Sequence, residues 1–298
     1  TDKEAAHSII ENNLYGLDID DRAYQLASFA VMMKARSVDR RFFAKEHRLK
    51  IASLQESNNI PINAMDICDD EHIADIGRYL ITAYKDAKEI GSLLEVSPKD
   101  YEKLIEYIEH LEENSFENLE KYSWIVNYGR TIKQLAFQAI IMSRKYTIVC
   151  TNPPYMNNLK GELKKYIFKN YKDYSGDIFS AFIMRNIKYS SSNGYSAYMT
   201  PNVWMYIKSF EKLRDFVISQ KSITSFLLLA KGAFYKEATV DICSFILCNT
   251  RGLEGSFVRL EDYKGDMEQQ KAAFLNKERI LSDKNIFYGF LIAIHIRL

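Results

Sequence analysis

Apolar and polar positions along this 298-residue chain switch repeatedly between a helical and an extended period, the signature of an α/β protein. Residues 3–13 read as the end of a helix. Leu14-Tyr15-Gly16-Leu17-Asp18-Ile19-Asp20 then reads as a short strand with carboxylates at its C-terminal end. Asp20 or Asp21 is placed to cap a helix over residues 22–36, where Ala23, Leu26, Ala27, Ala30, Val31 and Met33 recur at helical spacing. Residues 60–67 form a second strand candidate, with Asp66 near its end. Leu104, Ile105, Ile108, Leu111 and later Leu119 mark an amphipathic helix, and another helix covers 131–145. The β-branched apolar run at 146–151 predicts a third strand, expected to be buried.

Asn152-Pro153-Pro154-Tyr155 ends that strand abruptly, because consecutive prolines fix an extended backbone. Lys160, Lys164, Lys165, Lys169 and Lys172 stud the next helix, which also carries Leu163, Tyr166 and Ile167. A helix over 177–189 follows, ended by Ser190-Ser191-Ser192-Asn193-Gly194. Residues 195–200 predict a fourth strand, and 210–219 lie in a helix. Two further strands, 223–230 and 239–248, are joined by eight residues, too few for a crossover helix. They predict an antiparallel hairpin at one edge of a mainly parallel sheet.

Composition narrows the class. A hydrophobic share of 47% with 27% charged residues describes a globular chain, and no apolar run reaches the ~18 residues of a membrane span. Forty Lys and Arg against 39 Asp and Glu exclude a globally basic nucleic-acid binder, though not a local basic face. Residues 34–50 hold seven basic side chains against Asp39 and Glu46. Residues 69–120 hold fifteen acidic and five basic side chains, a local charge of −10. We expect this segment to be a helical insertion that stays away from nucleic acid. Cys68, Cys150, Cys243 and Cys248 form no CxxC pair and have no His at ligand spacing. They read as small buried hydrophobes, with no metal site. The start, Thr-Asp-Lys-Glu, shows no signal peptide, so we expect a cytoplasmic chain that is part of a longer one.

Asn152-Pro153-Pro154-Tyr155 is the chemical centre of this reading. Ligands of open α/β sheets sit beyond the carboxyl ends of strands. A rigid turn there offers an amide oxygen and a backbone carbonyl, two acceptors for an exocyclic amino group with its two N–H donors. Tyr155 adds a face on which a flat base can stack. The alternative is an ordinary strand-ending Pro-Pro turn.

Thr151-Asn152-Pro153-Pro154-Tyr155 resembles the catalytic motif of S-adenosylmethionine (SAM)-dependent amino-methyltransferases. Residues 12–30, with Met32-Met33-Lys34-Ala35-Arg36, are similar to the PglX-like adenine-specific DNA methyltransferases of BREX phage-defence systems, relatives of fused type II restriction-modification N6-adenine methylases. Residues 86–94 and 209–214 also resemble that family, so the likeness covers about residues 10–250.

The resemblance implies a SAM-dependent methyltransferase-like α/β fold: a mainly parallel sheet with an antiparallel edge hairpin and a long helical insertion. It implies a partial SAM-binding half over 1–68, an acidic insertion over 69–145, a catalytic half over 146–250 and a C-terminal extension over 251–298. The cofactor is S-adenosyl-L-methionine, and the partners are double-stranded DNA and other defence-system subunits. Asp18 would accept from the SAM ribose hydroxyls; helix capping, the other reading, fits Asp20 better. Asp66 would lie near the SAM adenine amino group, between Ile19 and Ile67 as apolar walls, or be a strand-end turn residue. Phe182 would pack on the cofactor adenine, in the helix core, or both. Tyr155 and Phe234 would sandwich a flipped adenine, although Phe234 also suits a loop covering the sheet edge. Lys160, Lys164 and Lys165 would meet DNA phosphates or form a solvated helix face.

The family's glycine-rich cofactor loop should precede Asp18, yet residues 1–13 contain no Gly. We therefore expect the first strand and that loop to be missing, and this chain alone to bind SAM weakly. A non-catalytic DNA- or partner-binding fragment, or a methyltransferase acting on RNA or on a protein glutamine, remain the alternatives.

Overall fold

The computed structural model describes residues 1–114, 118–230, 240–260 and 267–275. They fall into two units, Thr1–Arg144 and Lys145–Leu298.

In the first unit, helix α1 (Asp2–Ser8) is opened by a Thr1–Glu4 capping box and continues as a π-helical turn, Ile9–Asn13. Strand β1 (Tyr15–Asp18) follows. Helix α2 (Asp21–Val38) then returns the chain to strand β2 (Lys50–Ser53), which pairs parallel with β1. Asp20 is the cap of α2, accepting from the Arg22 N–H at 2.7 Å. Ile10, Ala35 and Phe42 form a small buried cluster around this crossover.

Strand β2 carries no clear alternation and was not expected. The expected strand over 60–67 is instead a 3-10 helix, Ile62–Ile67, entered through Pro61. Its apolar residues serve a different purpose: Ala64 and Met65 are buried, and the Ala64 carbonyl accepts from Trp124 Nε1. Apolar composition alone could not separate these outcomes.

The acidic segment is helical, as expected: α3 (Glu71–Ala83), α4 (Ala87–Ile90) and α5 (Tyr101–Glu113). Helix α5 buries Tyr101, Leu104, Ile105, Ile108 and Leu111 as one stripe. Its acidic face pairs with the following helices: Lys133 lies 3.0 Å from Glu109 and 3.5 Å from Glu112. Helix α6 (Leu119–Trp124), a π turn (Ile125–Gly129) and helix α7 (Arg130–Ser143) complete the unit.

The second unit is a five-stranded sheet ordered β3-β4-β6-β5-β7. Strand β3 (Tyr146–Thr151) pairs parallel with β4 (Ser190–Pro201). Strand β4 is antiparallel to β6 (Ile242–Cys248), which is antiparallel to β5 (Ser222–Leu228). Strand β7 (Ser256–Arg259) adds to β5 in parallel. The expected antiparallel pair is present, but β6 lies inside the sheet and β7 takes the edge. Strand β3 is not buried as expected. It is an edge strand among the described residues, and Ile148 is 66% exposed. The Ser190–Gly194 run belongs to β4 rather than to a loop.

Helices α8 (Gly161–Asn170), α9 (Ile178–Tyr189), α10 (Glu211–Gln220) and α11 (Met267–Leu275) accompany the sheet. Tyr198, Phe245 and Phe226 stack across β4, β6 and β5, with the Tyr198 and Phe245 rings 5.0 Å apart, and Trp204 from the 3-10 turn after β4 packs against Phe226 and Phe245. Cys243 and Cys248 are buried as expected, Cys68 is partly buried and Cys150 is exposed because β3 is an edge; all four are free thiols. No described helix is long and apolar enough to cross a membrane, and no metal-binding cluster occurs among the described residues.

Candidate active site

Strand β3 delivers Asn152-Pro153-Pro154-Tyr155 beyond its carboxyl end. Parallel pairing sets Thr151 opposite Tyr198, so the turn begins beside the last residues of β4. Asn152 and Tyr155 are exposed, while Pro153 is buried and anchors the turn. Tyr155 reaches back: its hydroxyl lies 3.0 Å from Asn152 Oδ1 and 3.2 Å from the Met199 carbonyl, the donor's two acceptors. Burial pushes the Tyr155 phenol above its ordinary pKa, with Cys243 adding to the shift, so the hydroxyl stays a donor at neutral pH.

An amide oxygen has two lone pairs, so Asn152 Oδ1 retains one acceptor position beside Tyr155. The Pro153 carbonyl has no donor among the described residues. The turn therefore holds two acceptors at an exposed strand end, next to an aromatic ring whose tip is fixed.

The exit from the turn is also fixed. Asp177 Oδ1 accepts from the Met156 N–H at 3.0 Å and from the Phe179 N–H at 3.2 Å, while the Ile178 N–H donates to the Met156 carbonyl at 3.1 Å. Asp177 thus caps α9 and holds the residue after Tyr155. Sequence reasoning marked 177 only as a helix start. An Asp before an apolar helix signals a cap, but its second partner lies 21 residues away. Phe182 is half-buried one turn into α9.

Lys160, Lys164 and Lys165 are exposed at the start of α8. Lys165 pairs with Glu162 at 2.5 Å and Lys164 sits over the Phe168 ring at 5.9 Å. Phe234 lies outside the described residues.

In the first unit, Asp18 ends β1. Its Oδ1 accepts from the Asp20 N–H at 2.8 Å, and its other oxygen has no donor among the described residues. Ile19 beside it is 46% exposed. Asp66 belongs to the 3-10 helix and lies 3.5 Å from Arg78, while Ile67 is half-buried. Asp18 and Asp66 thus have separate partners and make no direct contact.

The sequence matches the model of the family described as Eco57I restriction-modification methylase over residues 12–234. The chain is 29% identical, over an alignment of 322 residues, to the adenine-specific methyltransferase BrxX of Escherichia coli O9:H4 (strain HS), covering 95% of this chain and 25% of that protein. It is 31% identical over 279 residues to the adenine-specific methyltransferase PglX of Lacticaseibacillus casei (strain Zhang), covering 91% of this chain and 23% of that one. The chain therefore spans about a quarter of the length of these relatives. Among solved structures it resembles the DrdV–DNA complex (TM-score 0.51, 10% identity, 90% of this chain and 23% of that one). It likewise resembles a nuclease-deletion mutant of the Type ISP restriction-modification enzyme LlaGI in complex with a DNA substrate mimic (TM-score 0.51, 12% identity, 93% and 20%). At such identities the likeness concerns the fold alone.

Proposed function

Because the chain belongs to the Eco57I restriction-modification methylase family, we propose that it forms part of a DNA N6-adenine methyltransferase that marks host DNA in a restriction-modification or phage-defence system. The observation that carries this reading is the pair of open acceptors on the turn: one position on Asn152 Oδ1 and the Pro153 carbonyl.

In a duplex the adenine is stacked on its neighbours and its amino group is paired, so the target base must be flipped out to reach such a turn. Asn152 Oδ1 and the Pro153 carbonyl each accept one N–H of the amino group. That grip turns the nitrogen lone pair out of conjugation with the ring and aims it away from the turn. Tyr155 supplies a stacking face. When bound, S-adenosyl-L-methionine would supply an electrophilic methyl group, with its thioether as the leaving group and one amino proton released to solvent. This chemistry asks for no side-chain nucleophile.

The fit of SAM to the first unit rests on Asp18. Its unengaged oxygen at the end of β1 suits the ribose hydroxyls, and exposed Ile19 suits an apolar ring face. Asp66 fits less well, because Arg78 already engages it. Phe182, half-buried on α9 of the second unit, keeps its assignment to the cofactor adenine from the family resemblance alone. Of the three lysines, Lys160 is the best phosphate contact, since Lys164 and Lys165 have partners on their own helix.

The test is transfer of labelled methyl from SAM by the full natural polypeptide that carries this chain, offered DNA, RNA and protein in competition. N6-methyladenine in DNA is the expected product. Label in RNA or in protein glutamine, with DNA unlabelled, would move the function to another substrate. Label in none of them would leave a binding module.

A further inference from the structure

The residue after the Asn-Pro-Pro-Tyr turn is held at both of its backbone groups by one short stretch of chain. The Met156 N–H donates to Asp177 Oδ1 at 3.0 Å, and the Met156 carbonyl accepts from the Ile178 N–H at 3.1 Å. The same Asp177 oxygen caps α9 through the Phe179 N–H at 3.2 Å. Asp177 is held in turn: its own carbonyl accepts from the Ser180 N–H at 3.1 Å and from Ser180 Oγ at 2.7 Å. Ser180 is fully buried, so this anchor does not fray with solvent. Asp177 is therefore a joint between two pieces of the candidate site: the turn that offers acceptors, and the helix that carries Phe182 one turn further on.

We infer that Asp177 is a positioning residue for methyl transfer, setting the Asn152–Tyr155 turn in register with α9; the inference rests on the function proposed above. The turn's other ties all lie on the β4 side: β3 pairs with β4, and the Tyr155 hydroxyl reaches the Met199 carbonyl. With the exit untied, rotation about Met156 would swing α9 and Phe182 relative to the Asn152 acceptors. Misplacement of reacting groups by ~1 Å costs on the order of 100-fold in rate. The demand on Asp177 is for an acceptor oxygen, not for charge. Burial raises its carboxyl above the ordinary value, with the backbone donors Met156, Phe179 and Ile178 pulling the other way. An amide oxygen at this place would serve nearly as well.

The test uses Asp177→Ala, Asp177→Asn and, as a stability control, Asp70→Ala. Asp70 caps α3 in the first unit, accepting from the His72 and Ile73 N–H groups. Two measurements are made. Amide hydrogen exchange at Met156 in the 298-residue chain is expected to speed up roughly fivefold in Asp177→Ala, the loss of one ordinary hydrogen bond, and to stay near parental in Asp177→Asn. Methyl transfer by the full natural polypeptide is expected to lose on the order of 30- to 100-fold in kcat in Asp177→Ala, with KM for SAM changed less than about threefold. Asp177→Asn should restore most of kcat, and Asp70→Ala should lower Tm without moving kcat. Unchanged Met156 exchange in Asp177→Ala would remove the joint. A kcat loss shared by Asp70→Ala, or not rescued by Asp177→Asn, would reduce Asp177 to a helix cap. If the parental polypeptide transfers no methyl to DNA, the proposed function fails and this role with it. Parental transfer with an unaffected Asp177→Ala would fail the role alone.

Discussion

The two units treat their carboxylates in opposite ways. In Thr1–Arg144, every carboxylate with a clear shift goes down: Glu4 through the N-terminal amine, Asp21 through Ser53 and Gln55, Asp39 through His7 and the Arg41 N–H, Asp100 through Lys103. Asp21 and Asp39 tie elements together, while Glu4 and Asp100 act at the starts of their own helices. In Lys145–Leu298, the one described carboxylate with a clear shift, Asp177, goes up, because burial outweighs its backbone donors. Burial raises tyrosines in both units, Tyr101 and Tyr107 in the first and Tyr155 and Tyr174 in the second, so the difference is confined to the carboxylates. Pairing with donors stabilises the charge, and desolvation works against it. The contrast is one of use: in the first unit the shifted carboxylates serve charged or polar partners and helix caps, and in the second a partly buried one bridges the turn and α9.

The most severe way to break that contrast is Asn152→Ala in the full natural polypeptide. It removes the acceptor proposed to orient the amino group, so methylation of DNA should fall by at least about 100-fold while SAM binding and the melting temperature stay near parental. N6-methyladenine in host DNA reads the outcome, and a parental rate would make the turn purely structural.

Tyr155 gives a graded version. Tyr155→Ala deletes a stacking face worth ~1–3 kcal/mol and should weaken capture of a DNA carrying an unpaired adenine accordingly. Tyr155→Phe keeps the face but loses the hydroxyl that reaches Asn152 Oδ1 and the Met199 carbonyl. It should retain much of the activity. A Phe variant as weak as the Ala variant would assign the work to the hydroxyl tie instead of the ring.

Two glycines compare the packing of the units. A Cβ on Gly255 would lie 2.0 Å from the Ile223 carbonyl oxygen, backbone in the β5 strand that cannot step aside. A Cβ on Gly77 would lie 2.4 Å from the Met65 Sδ and Cε, a flexible thioether, though a fully buried one. Gly255→Ala should therefore cost the larger share of the ~1–3 kcal/mol usual for overpacking, read by denaturant melts of the two variants. An equal loss would mean that the Met65 pocket is as rigid as a strand.

The smallest effect is in pH. The folded Asp39 carboxyl titrates below its ordinary ~4, so the stability it adds is complete above ~4 and fades as pH falls from there. Asp177 titrates above the ordinary value, so its cost is absent below ~4 and grows as pH rises through and beyond it. Melts from pH 3 to 7 should show the parent gaining on Asp39→Asn as pH rises, and losing ground to Asp177→Asn over the same range. Parallel curves for both variants would erase the difference between the units.

Local pattern alone determined the elements whose residues answer to near neighbours. Helix α5 was legible because Leu104, Ile105, Ile108 and Leu111 repeat at 3.6 residues, and α2 because Asp20 precedes its first turn. Strand β3 was legible because six residues ending at Thr151 meet two prolines. The Asn152 acceptors were legible too, since the turn that presents them is written in four consecutive residues. Only the tertiary structure decided what depends on chain far away in sequence. Residues 62–67 coil into a 3-10 helix because Trp124 and Gly77 pack against Ala64 and Met65. Strand β3 is exposed because β4 covers one of its edges and nothing described covers the other, and β7 exists because β5 had a free edge. The Tyr155 hydroxyl found Met199, and Asp177 found Met156, across 44 and 21 residues. Periodicity encodes which face of a segment leaves water; it carries no information about which distant donor or edge will meet it there.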